Sequence, residues 1–331
     1  MRIWMMTSGS LEDLLPFLTI GRALRSRGHE ISFDTGNQHE GYVAEAGFDC
    51  SPLPERGSLR QQGTVVLVQR AAFGARLTEE ALGAPYCMVY RSPGELGAPP
   101  VDPVSPEIHS PGPQIQSPRQ ELALFPEWFC GRAPHWPAQL TLTGFVTVDE
   151  PFMPVAARRV EAFLDTGAPP IVFCPGTGTP LAPGFFKESL AACEALGTRT
   201  VLLTPDSGLV PPSLPHWALH VGSIPLHSLL RRCSAIVYPG GMATCAQAMR
   251  AGVPQLVTPI TAEQLDTAQH IRALGLGVSI PLEDYGDGIA TDKLIQLLSG
   301  NGFRHACQHV AAQFAHDKPL ETICDLVARL Q

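Results

Sequence analysis

The segment from Ala235 to Pro254, AIVYPGGMATCAQAMRAGVP, constrains the fold of this chain more than any other segment. It starts with a short apolar run typical of a buried strand and passes through a two-glycine turn. It then enters a helical pattern of small residues that stops at Gly252, and Gly-Val-Pro leads into another apolar run. A buried strand, a tight turn, a helix and a second buried strand form the βαβ unit of a parallel sheet. The segment therefore predicts an α/β fold.

The same alternation recurs along the 331 residues in two series. In the first series we predict strands at residues 2–7, 29–35, 64–69, 86–90, 122–125 and 140–142. In the second series we predict strands at residues 171–174, 200–204, 219–221, 235–238 and 255–258, with helices at 185–196, 226–231, 243–251 and 263–274. The chain from Ser299 onward is also expected to be helical. Two such series predict two Rossmann-like domains, residues 1–148 and 149–331, with DEPFMP at 149–154 as the linker.

The composition excludes several classes of function. A net charge of −8 offers no basic surface to nucleic acid or to an anionic bilayer, so neither is an expected partner. No stretch approaches the roughly 18 apolar residues that a membrane span needs. The nine cysteines are odd in number, are spread among apolar segments and never form Cys-x-x-Cys, which is typical of reduced, mostly buried thiols. We therefore predict a cytoplasmic protein without stable membrane insertion.

Residues 93–118 depart from this regular pattern. They contain eight prolines and almost no apolar periodicity, so we expect a surface loop or a bridging segment there. Just beyond them, Phe125, Trp128, Phe129 and Trp136 form an aromatic cluster that is compatible with an acceptor site but more typical of core packing.

Two glycine-rich turns follow predicted strands, where parallel α/β sheets bind their ligands. Gly240 and Gly241 allow the backbone to approach an anion closely, and Ala243 and Thr244 supply amides at the positive end of a helix. The second turn, PGTGT at 175–179, follows the first strand of the same series. The pair is typical of a phosphate site, although spacing alone fits an ordinary strand-turn-helix corner equally well. The dinucleotide fingerprint and the P-loop are absent from these positions, which disfavours nicotinamide and ATP chemistry.

Acidic residues follow two further strands. Glu263 and Gln264 offer neighbouring acceptors and donors suited to sugar hydroxyls, but the helix dipole alone also favours an acid in a first turn. Asp13, in the loop SLED after the first strand, is either a first-turn acid behind the N-cap or a general base. Its neighbour Glu12 diverges from it by about 100° on a helix, so the two carboxylates cannot both face one cleft.

His305 and His309 lie four residues apart on a predicted helix, and His316 follows. A zinc site needs a further ligand at suitable spacing and, for hydrolysis, a nearby glutamate base. Neither accompanies these histidines, so we interpret them as surface residues and predict no metal site.

Longer motifs carry a family resemblance. The N-terminal TSGSLEDLLPF and GRALRSRGHEISF are followed by LFPEWFCGRAPHWPAQLTLTGF and by CSAIVYPGGMATCAQAMRAGVPQLVTPITAEQLDTAQHI. Together they resemble the UDP-glycosyltransferase superfamily, most closely its bacterial rhamnosyltransferase and sterol-glucosyltransferase-like members. The resemblance spans both halves of the chain. It implies the GT-B fold, in which two Rossmann-like domains place their parallel sheets across a cleft from each other.

The resemblance also implies an activity: inverting, metal-independent and cofactor-free transfer of a hexose or deoxyhexose from a UDP- or dTDP-sugar to a hydroxyl of an apolar lipid or natural product. Domain 1–148 is then the acceptor domain, and 149–331 is the donor domain, whose last helix packs back toward the first. Asp13 matches the catalytic base. The residues that match the donor site are Gly176, Thr177, Ile224, Gly240, Gly241, Met242, Ala243, Thr244, Glu263 and Gln264. A homodimer is compatible with this assignment.

Three residues depart from the family pattern. Glu12 replaces a glycine, Tyr238 stands where many relatives have a histidine that faces the phosphate, and Ala243 replaces a common glycine. The chain is also several dozen residues shorter than typical relatives, with gaps near residues 57–64 and 93–118, where relatives build the acceptor pocket. One alternative therefore stays open, a catalytically impaired relative that binds a nucleotide or a partner protein. A sugar-nucleotide epimerase is a further alternative, which the segments TSGSLEDLLPF and YPGGMATC disfavour.

Overall fold

The computed structural model describes residues 1–35, 39–52, 63–72, 84–97, 119–148, 154–176, 184–286 and 288–330, with the side chains of 154–157 left aside. The chain divides into two compact units. Unit 1 consists of Met1–Val148 and Asp317–Gln331, and unit 2 consists of Asp149–His316. The final helix is therefore part of unit 1, although it follows unit 2 in the sequence.

Parallel strands form one sheet in unit 1. The seven strands in its described residues have the order β3-β2-β1-β4-β5-β6-β7. They are β1 (Arg2–Met6), β2 (Glu30–Asp34), β3 (Asp49–Cys50), β4 (Thr64–Gln69), β5 (Tyr86–Tyr90), β6 (Gln120–Ala123) and β7 (Leu140–Leu142). The helices between them are α1 (Leu11–Ser26), α2 (Glu40–Glu45), α3 (Gly94–Gly97) and α4 (Glu127–Cys130). The strand order reverses between β1 and β4, which is where doubly wound sheets bind ligands.

Unit 2 repeats this plan. The six strands in its described residues are all parallel and have the order β10-β9-β8-β11-β12-β13. They are β8 (Ile171–Phe173), β9 (Thr200–Leu203), β10 (Ala218–Val221), β11 (Ala235–Tyr238), β12 (Gln255–Val257) and β13 (Gly277–Ser279). The helices are α5 (Pro154–Leu164), α6 (Phe185–Leu196), α7 (Leu226–Leu230), α8 (Met242–Ala251), α9 (Ala262–Ala273), α10 (Ile289–Leu298) and α11 (Gly302–Gln313). Here the order reverses between β8 and β11.

The last helix, α12 (Pro319–Ala328), packs beside α1 on one face of the unit 1 sheet. Its Ile323 and the Phe17 side chain of α1 are both fully buried in one cluster with Met5 of β1. At the surface, Arg27 Nη1 and Asp325 Oδ1 lie 2.5 Å apart and link the ends of the two helices. The apolar face of α12 is thus buried by unit 1, which explains why the end of the chain belongs to that unit.

Most of the predicted elements are confirmed. The strands at 64–69, 86–90, 140–142 and 235–238 and the helix at 185–196 have the predicted bounds. The strand predicted at 122–125 is instead Gln120–Ala123, because two polar residues at its start pair with β5. The strands β3 and β13 and the helix α10 were not predicted. β3 is only two residues long, and β13 is only three residues long.

The prediction of an irregular segment at 93–118 is wrong at its beginning. Gly94–Gly97 form one helical turn, in which the Leu96 amide donates to the Pro93 carbonyl at 3.0 Å. Proline suits such a first turn because its fixed φ is already helical and its missing N–H has no helical partner to lose. Residues 98–118 and 53–62, which include most of the two family gaps, lie outside the described residues, as does Thr177 of the predicted donor site.

All nine cysteines are free thiols, and most are buried, as predicted. Burial raises the pKa of the Cys193 thiol to about 12, so this group stays protonated and behaves as an apolar core residue. Within the ranges given above, no helix is both long enough and apolar enough to cross a membrane.

Candidate active site

The loop after β1 places Asp13 at the carboxyl end of the unit 1 sheet. The Ser8 amide donates to Gln69 Oε1 of β4 at 2.9 Å, and His39 Nε2 lies 2.9 Å from the Gly9 carbonyl oxygen. Gly9 has φ +105°, and a Cβ there would collide with the Asp13 carboxylate. The turn can therefore close around this carboxylate only because residue 9 is glycine.

Both oxygens of the Asp13 carboxylate have partners. Its Oδ2 accepts hydrogen bonds from the Ser10 amide at 2.6 Å and from Ser10 Oγ at 3.1 Å, while its Oδ1 forms an ion pair with Arg91 Nη1. The side chain is 17% exposed. Asp13 is thus a first-turn acid behind the N-cap Ser10, and the same contacts hold its carboxylate in one orientation at the carboxyl end of the sheet.

Arg91 and Glu95 were not singled out from the sequence. Arg91 follows β5 directly, its backbone amide donates to Glu95 Oε2 at 2.9 Å, and its Nη2 donates to Glu95 Oε1 at 2.7 Å. The signal was present as an Arg-x-x-x-Glu spacing directly after a strand of apolar residues. Without the strand order, however, nothing in the sequence relates Arg91 to a loop almost eighty residues earlier.

The two-glycine turn of unit 2 has the geometry of an anion cradle. Gly240 has φ +112°, and a Cβ there would lie 2.9 Å from Val257 Cγ1 and 3.0 Å from the Gln264 carbonyl oxygen. Gly241 is the N-cap of α8, so the first amides of that helix, at Met242, Ala243 and Thr244, have no acceptor within the helix. Helix geometry and dipole make this end suited to a phosphate group.

The Gly176 turn lies beside this cradle. β8 and β11 are neighbours in the sheet, and the Cys174 amide donates to the Val237 carbonyl at 2.9 Å, so their two loops leave the sheet side by side. Gly176 has φ +75°. Ile224, by contrast, follows the edge strand β10 and is partly buried there. Gly240 thus lies against Gln264, the Gly176 turn leaves the neighbouring strand, and Ile224 lies farther along the same edge of the sheet.

Gln264 has a structural role in addition to the predicted one. Its Oε1 accepts from the Ile260 amide at 2.8 Å and the Thr261 amide at 3.2 Å, while Thr261 Oγ1 accepts from the Gln264 amide at 3.2 Å. This is a capping box at the start of α9. The side-chain carbonyl is therefore occupied, and Gln264 can offer a ligand its NH₂ group, next to the exposed acceptor Glu263.

Tyr238 does not take the place of a phosphate-facing histidine. Its side chain is fully buried, and its hydroxyl donates to Gln255 Oε1 at 2.6 Å. Burial and the neighbouring Cys245 thiol raise the pKa of Tyr238 well above its usual value. The phenol therefore points into the core of unit 2 and does not face the turn, where the backbone amides of α8 are the groups suited to an anion.

The aromatic residues that the sequence offered as a possible acceptor site pack against one another and against neighbouring side chains. Phe125 and Trp136 pack edge to face with ring centroids 6.0 Å apart, and Trp128 packs on Phe145 at 5.8 Å. The indole N–H of Trp128 donates to Asp317 Oδ2 at 3.1 Å, which fixes the start of the C-terminal segment to unit 1. These contacts favour the packing interpretation of the aromatic cluster over an acceptor site.

The three C-terminal histidines, His305, His309 and His316, are exposed. Across the residues that the structure describes, no group of three or more His, Cys, Asp or Glu side chains is arranged to hold a metal ion.

Comparison with known proteins shows which proteins this chain is similar to. Residues 201–329 match the model of the erythromycin biosynthesis protein CIII-like C-terminal domain. The chain is 26% identical to glycosyltransferase GtfE of Amycolatopsis orientalis, over 84% of this chain and 86% of that protein. It is also 26% identical to O-mycaminosyltylonolide 6-deoxyallosyltransferase of Streptomyces fradiae, over 83% and 84% of the two chains.

Solved structures agree on the fold. The glycosyltransferase SnogD of Streptomyces nogalater superposes with a TM-score of 0.74 at 22% identity, covering 100% of this chain and 99% of its own. The spinosyn rhamnosyltransferase SpnG, solved with thymidine diphosphate, gives a TM-score of 0.75 at 21% identity, covering 98% and 100%. The chain is a GT-B glycosyltransferase.

Within this glycosyltransferase, the matched family region contains the cradle at Gly240, the start of α8 and the pair Glu263 and Gln264. Asp13 and Arg91 lie outside that region, in unit 1. The predicted donor-site residues and the predicted base thus belong to different units.

Proposed function

We propose that this glycosyltransferase transfers a hexose or deoxyhexose, of the glucose or rhamnose type, from a dTDP- or UDP-sugar to a hydroxyl of an apolar natural product or lipid, with inversion and without a metal ion. The observation that carries the proposal is the Gly240 turn. A side chain at Gly240 would collide with Val257 and with the backbone of Gln264, and the turn opens onto the free amides at the start of α8. Such a turn suits a diphosphate leaving group.

The similar proteins favour thymidine diphosphate as the first donor nucleotide to test. The SpnG structure was solved with thymidine diphosphate, and the chain is 32% identical to the TDP-daunosamine transferase DnrS of Streptomyces peucetius over 51% of its length. The spinosyn, vancomycin and tylonolide names of the relatives all describe natural products, which supports an aglycone of that class as acceptor.

The proposed chemistry is a single displacement. Asp13 takes the proton of the acceptor hydroxyl, whose oxygen forms a bond to the anomeric carbon of the sugar. The bond between that carbon and the diphosphate oxygen breaks, and the diphosphate leaves with the electron pair. Amides of α8 and the positive end of its dipole stabilise the charge that develops on the leaving group. Attack from the face opposite the leaving group inverts the anomeric centre.

Calorimetric titration with dTDP, UDP and their glucose conjugates tests the donor site. Gly241→Asp should abolish nucleotide binding, because it places a carboxylate beside the bound diphosphate. Gly302→Asp is the matched control, since Gly302 also begins a helix, α11, and a Cβ there meets no atom within 4 Å. Binding of dTDP by the Gly241→Asp protein as tight as by the wild type would contradict the role of the turn.

Asp13→Asn tests the base. The asparagine keeps an oxygen for Ser10 but cannot accept a proton, so kcat should fall by roughly 10²-fold or more while dTDP binding changes by less than about twofold. Turnover is measured as dTDP released from dTDP-glucose in the presence of spinosyn aglycone or vancomycin aglycone. Unchanged turnover would remove Asp13 from the mechanism.

A binding protein without catalysis is the second candidate, and the inward orientation of Tyr238 favours it, because no histidine at this position faces the phosphates. It predicts dTDP binding without turnover of any acceptor. The epimerase alternative predicts a new sugar nucleotide from the donor alone. Product analysis of the same reactions by mass spectrometry and NMR separates all three.

A further inference from the structure

Asp13 belongs to a cluster of three charged side chains, Asp13, Arg91 and Glu95. β1 and β5 are separated by β4 in the sheet, so their carboxyl ends are about 10 Å apart. Arg91 spans this distance and joins the Asp13 carboxylate to Glu95, and all three side chains are mostly buried, with exposures of 17%, 17% and 11% for Asp13, Arg91 and Glu95. An ion pair this sheltered is screened little by solvent.

We infer that Arg91 is the positioning residue of this glycosyltransferase, holding the Asp13 carboxylate oriented for the acceptor hydroxyl, with Glu95 fixing Arg91 in turn. The inference rests on the proposed role of Asp13 as base. Arg91 itself would touch neither sugar nor acceptor and would act through Asp13.

Hydrogen-bond capacity shows what this arrangement leaves for a substrate. A carboxylate offers about four acceptor positions, two on each oxygen. Ser10 takes both positions of Oδ2, through its amide and its hydroxyl, and Arg91 takes one position of Oδ1. The remaining position on Oδ1 is where an acceptor hydroxyl can donate. Ser10 alone would fix Oδ2 and leave the carboxylate free to rotate about that oxygen. The Arg91 guanidinium also fixes Oδ1.

Glu95 controls the guanidinium in the same way. It binds the backbone amide and Nη2 of Arg91 with its two oxygens, so Arg91 Nη1 is directed to Asp13. The guanidinium is thus held on both sides, and its fixed position fixes the Asp13 carboxylate in turn.

The test compares Arg91→Met, Arg91→Lys and Glu95→Gln with Arg27→Met, which removes an exposed arginine-carboxylate pair from the same unit. With dTDP-glucose and spinosyn aglycone, an alcohol, Arg91→Met should lower kcat at least about tenfold and leave the KM for dTDP-glucose within about twofold. Lysine should restore part of the lost kcat, since it supplies the charge without the fork that also reaches Glu95. Glu95→Gln should give a smaller loss of the same kind.

A second acceptor distinguishes positioning from general damage to the fold. 4-Nitrophenol at alkaline pH is already ionised and needs no base, so the losses in Asp13→Asn and Arg91→Met should be much smaller with it than with the alcohol. Equal losses of Arg91→Met with both acceptors would overturn the inference. The inference would also be overturned if Arg91→Met had the same kcat and KM with the alcohol acceptor as Arg27→Met.

A third readout needs no acceptor. The Ser10 amide is bonded to Asp13 Oδ2, so its hydrogen exchange, followed by NMR, should quicken at least about tenfold in Arg91→Met and stay unchanged in Arg27→Met. Unchanged exchange would show that Arg91 does not position the carboxylate. Faster exchange combined with full activity of Asp13→Asn would retain Arg91 as the anchor of Asp13 while rejecting Asp13 as the base, so the two hypotheses fail separately.

Discussion

At the scale of single residues, the polar side chains of unit 1 differ in how well they are satisfied. Asp13 has three donors, whereas Glu121 of β6 is buried: among the described residues its Oε2 has no partner, and its Oε1 accepts from the Tyr90 hydroxyl at 3.5 Å. Burial raises the pKa of the Glu121 carboxyl, and the Tyr90 hydrogen bond and Arg70 offset this only in part. A buried carboxylate without full pairing opposes folding when it ionises.

Glu121→Gln should therefore stabilise the protein at neutral pH by about 1 kcal/mol. Because the pKa of Glu121 is higher in the folded than in the unfolded chain, its favourable contribution is complete below the unfolded-state pKa and is lost as pH rises through the folded-state pKa. Urea unfolding at a series of pH values should show that the free energy of unfolding of Glu121→Gln increases relative to that of the wild type as pH rises across this window. Glu30→Gln, at an exposed glutamate, is the control and should change little. A variant less stable than wild type at neutral pH would show that Glu121 has a partner it needs.

At the scale of elements, Gln264 caps the start of α9, and its NH₂ group is the proposed donor of a hydrogen bond to the sugar. Gln264→Ala removes both the capping acceptor and the NH₂ donor, and should cost about 1 kcal/mol of stability. Gln264→Glu keeps a capping acceptor and removes only the donor, so it should be as stable as wild type and still bind dTDP-glucose roughly tenfold more weakly. Thr261→Ala is the complementary control, because it weakens the cap and leaves the NH₂ group in place. Binding of dTDP-glucose by Gln264→Glu at wild-type strength would limit Gln264 to its capping role.

At the scale of the whole molecule, the chain forms two hydrophobic cores, and its last helix, α12, packs into the core of unit 1. Ile323 of α12 is fully buried in the unit 1 core, so Ile323→Ala should cost unit 1 roughly 3 kcal/mol. Scanning calorimetry with and without dTDP should show the unit 1 transition lowered and the transition that dTDP raises unchanged. Ile295→Ala, at an exposed isoleucine of unit 2, should leave both transitions in place. Equal lowering of both transitions would mean that the two units unfold as one.

The sequence by itself determined the local structure and the class of the protein. Apolar runs such as 86–90 specify buried strands, and Gly240 specifies a tight strand-turn-helix corner, because its φ of +112° is one that side-chain-bearing residues rarely adopt. From these patterns the two parallel sheets could be predicted, and the loops that contain Asp13 and Gly240 could be placed at the ends of strands. The short strand β3 could not, because two residues carry no periodicity.

Only the tertiary structure decided which distant residues meet. The pairing of Asp13 with Arg91 follows from the strand order, which places β5 two strands from β1 and leaves an arginine long enough to span the distance. The inward orientation of Tyr238 follows from Gln255 on the neighbouring strand. α12 belongs to unit 1 because it packs against the apolar face of α1. The sequence of α12 shows an apolar face but does not show which helix covers it. Local sequence sets backbone conformation and amphipathic faces, but long-range contacts are chosen by packing and charge pairing in the folded chain.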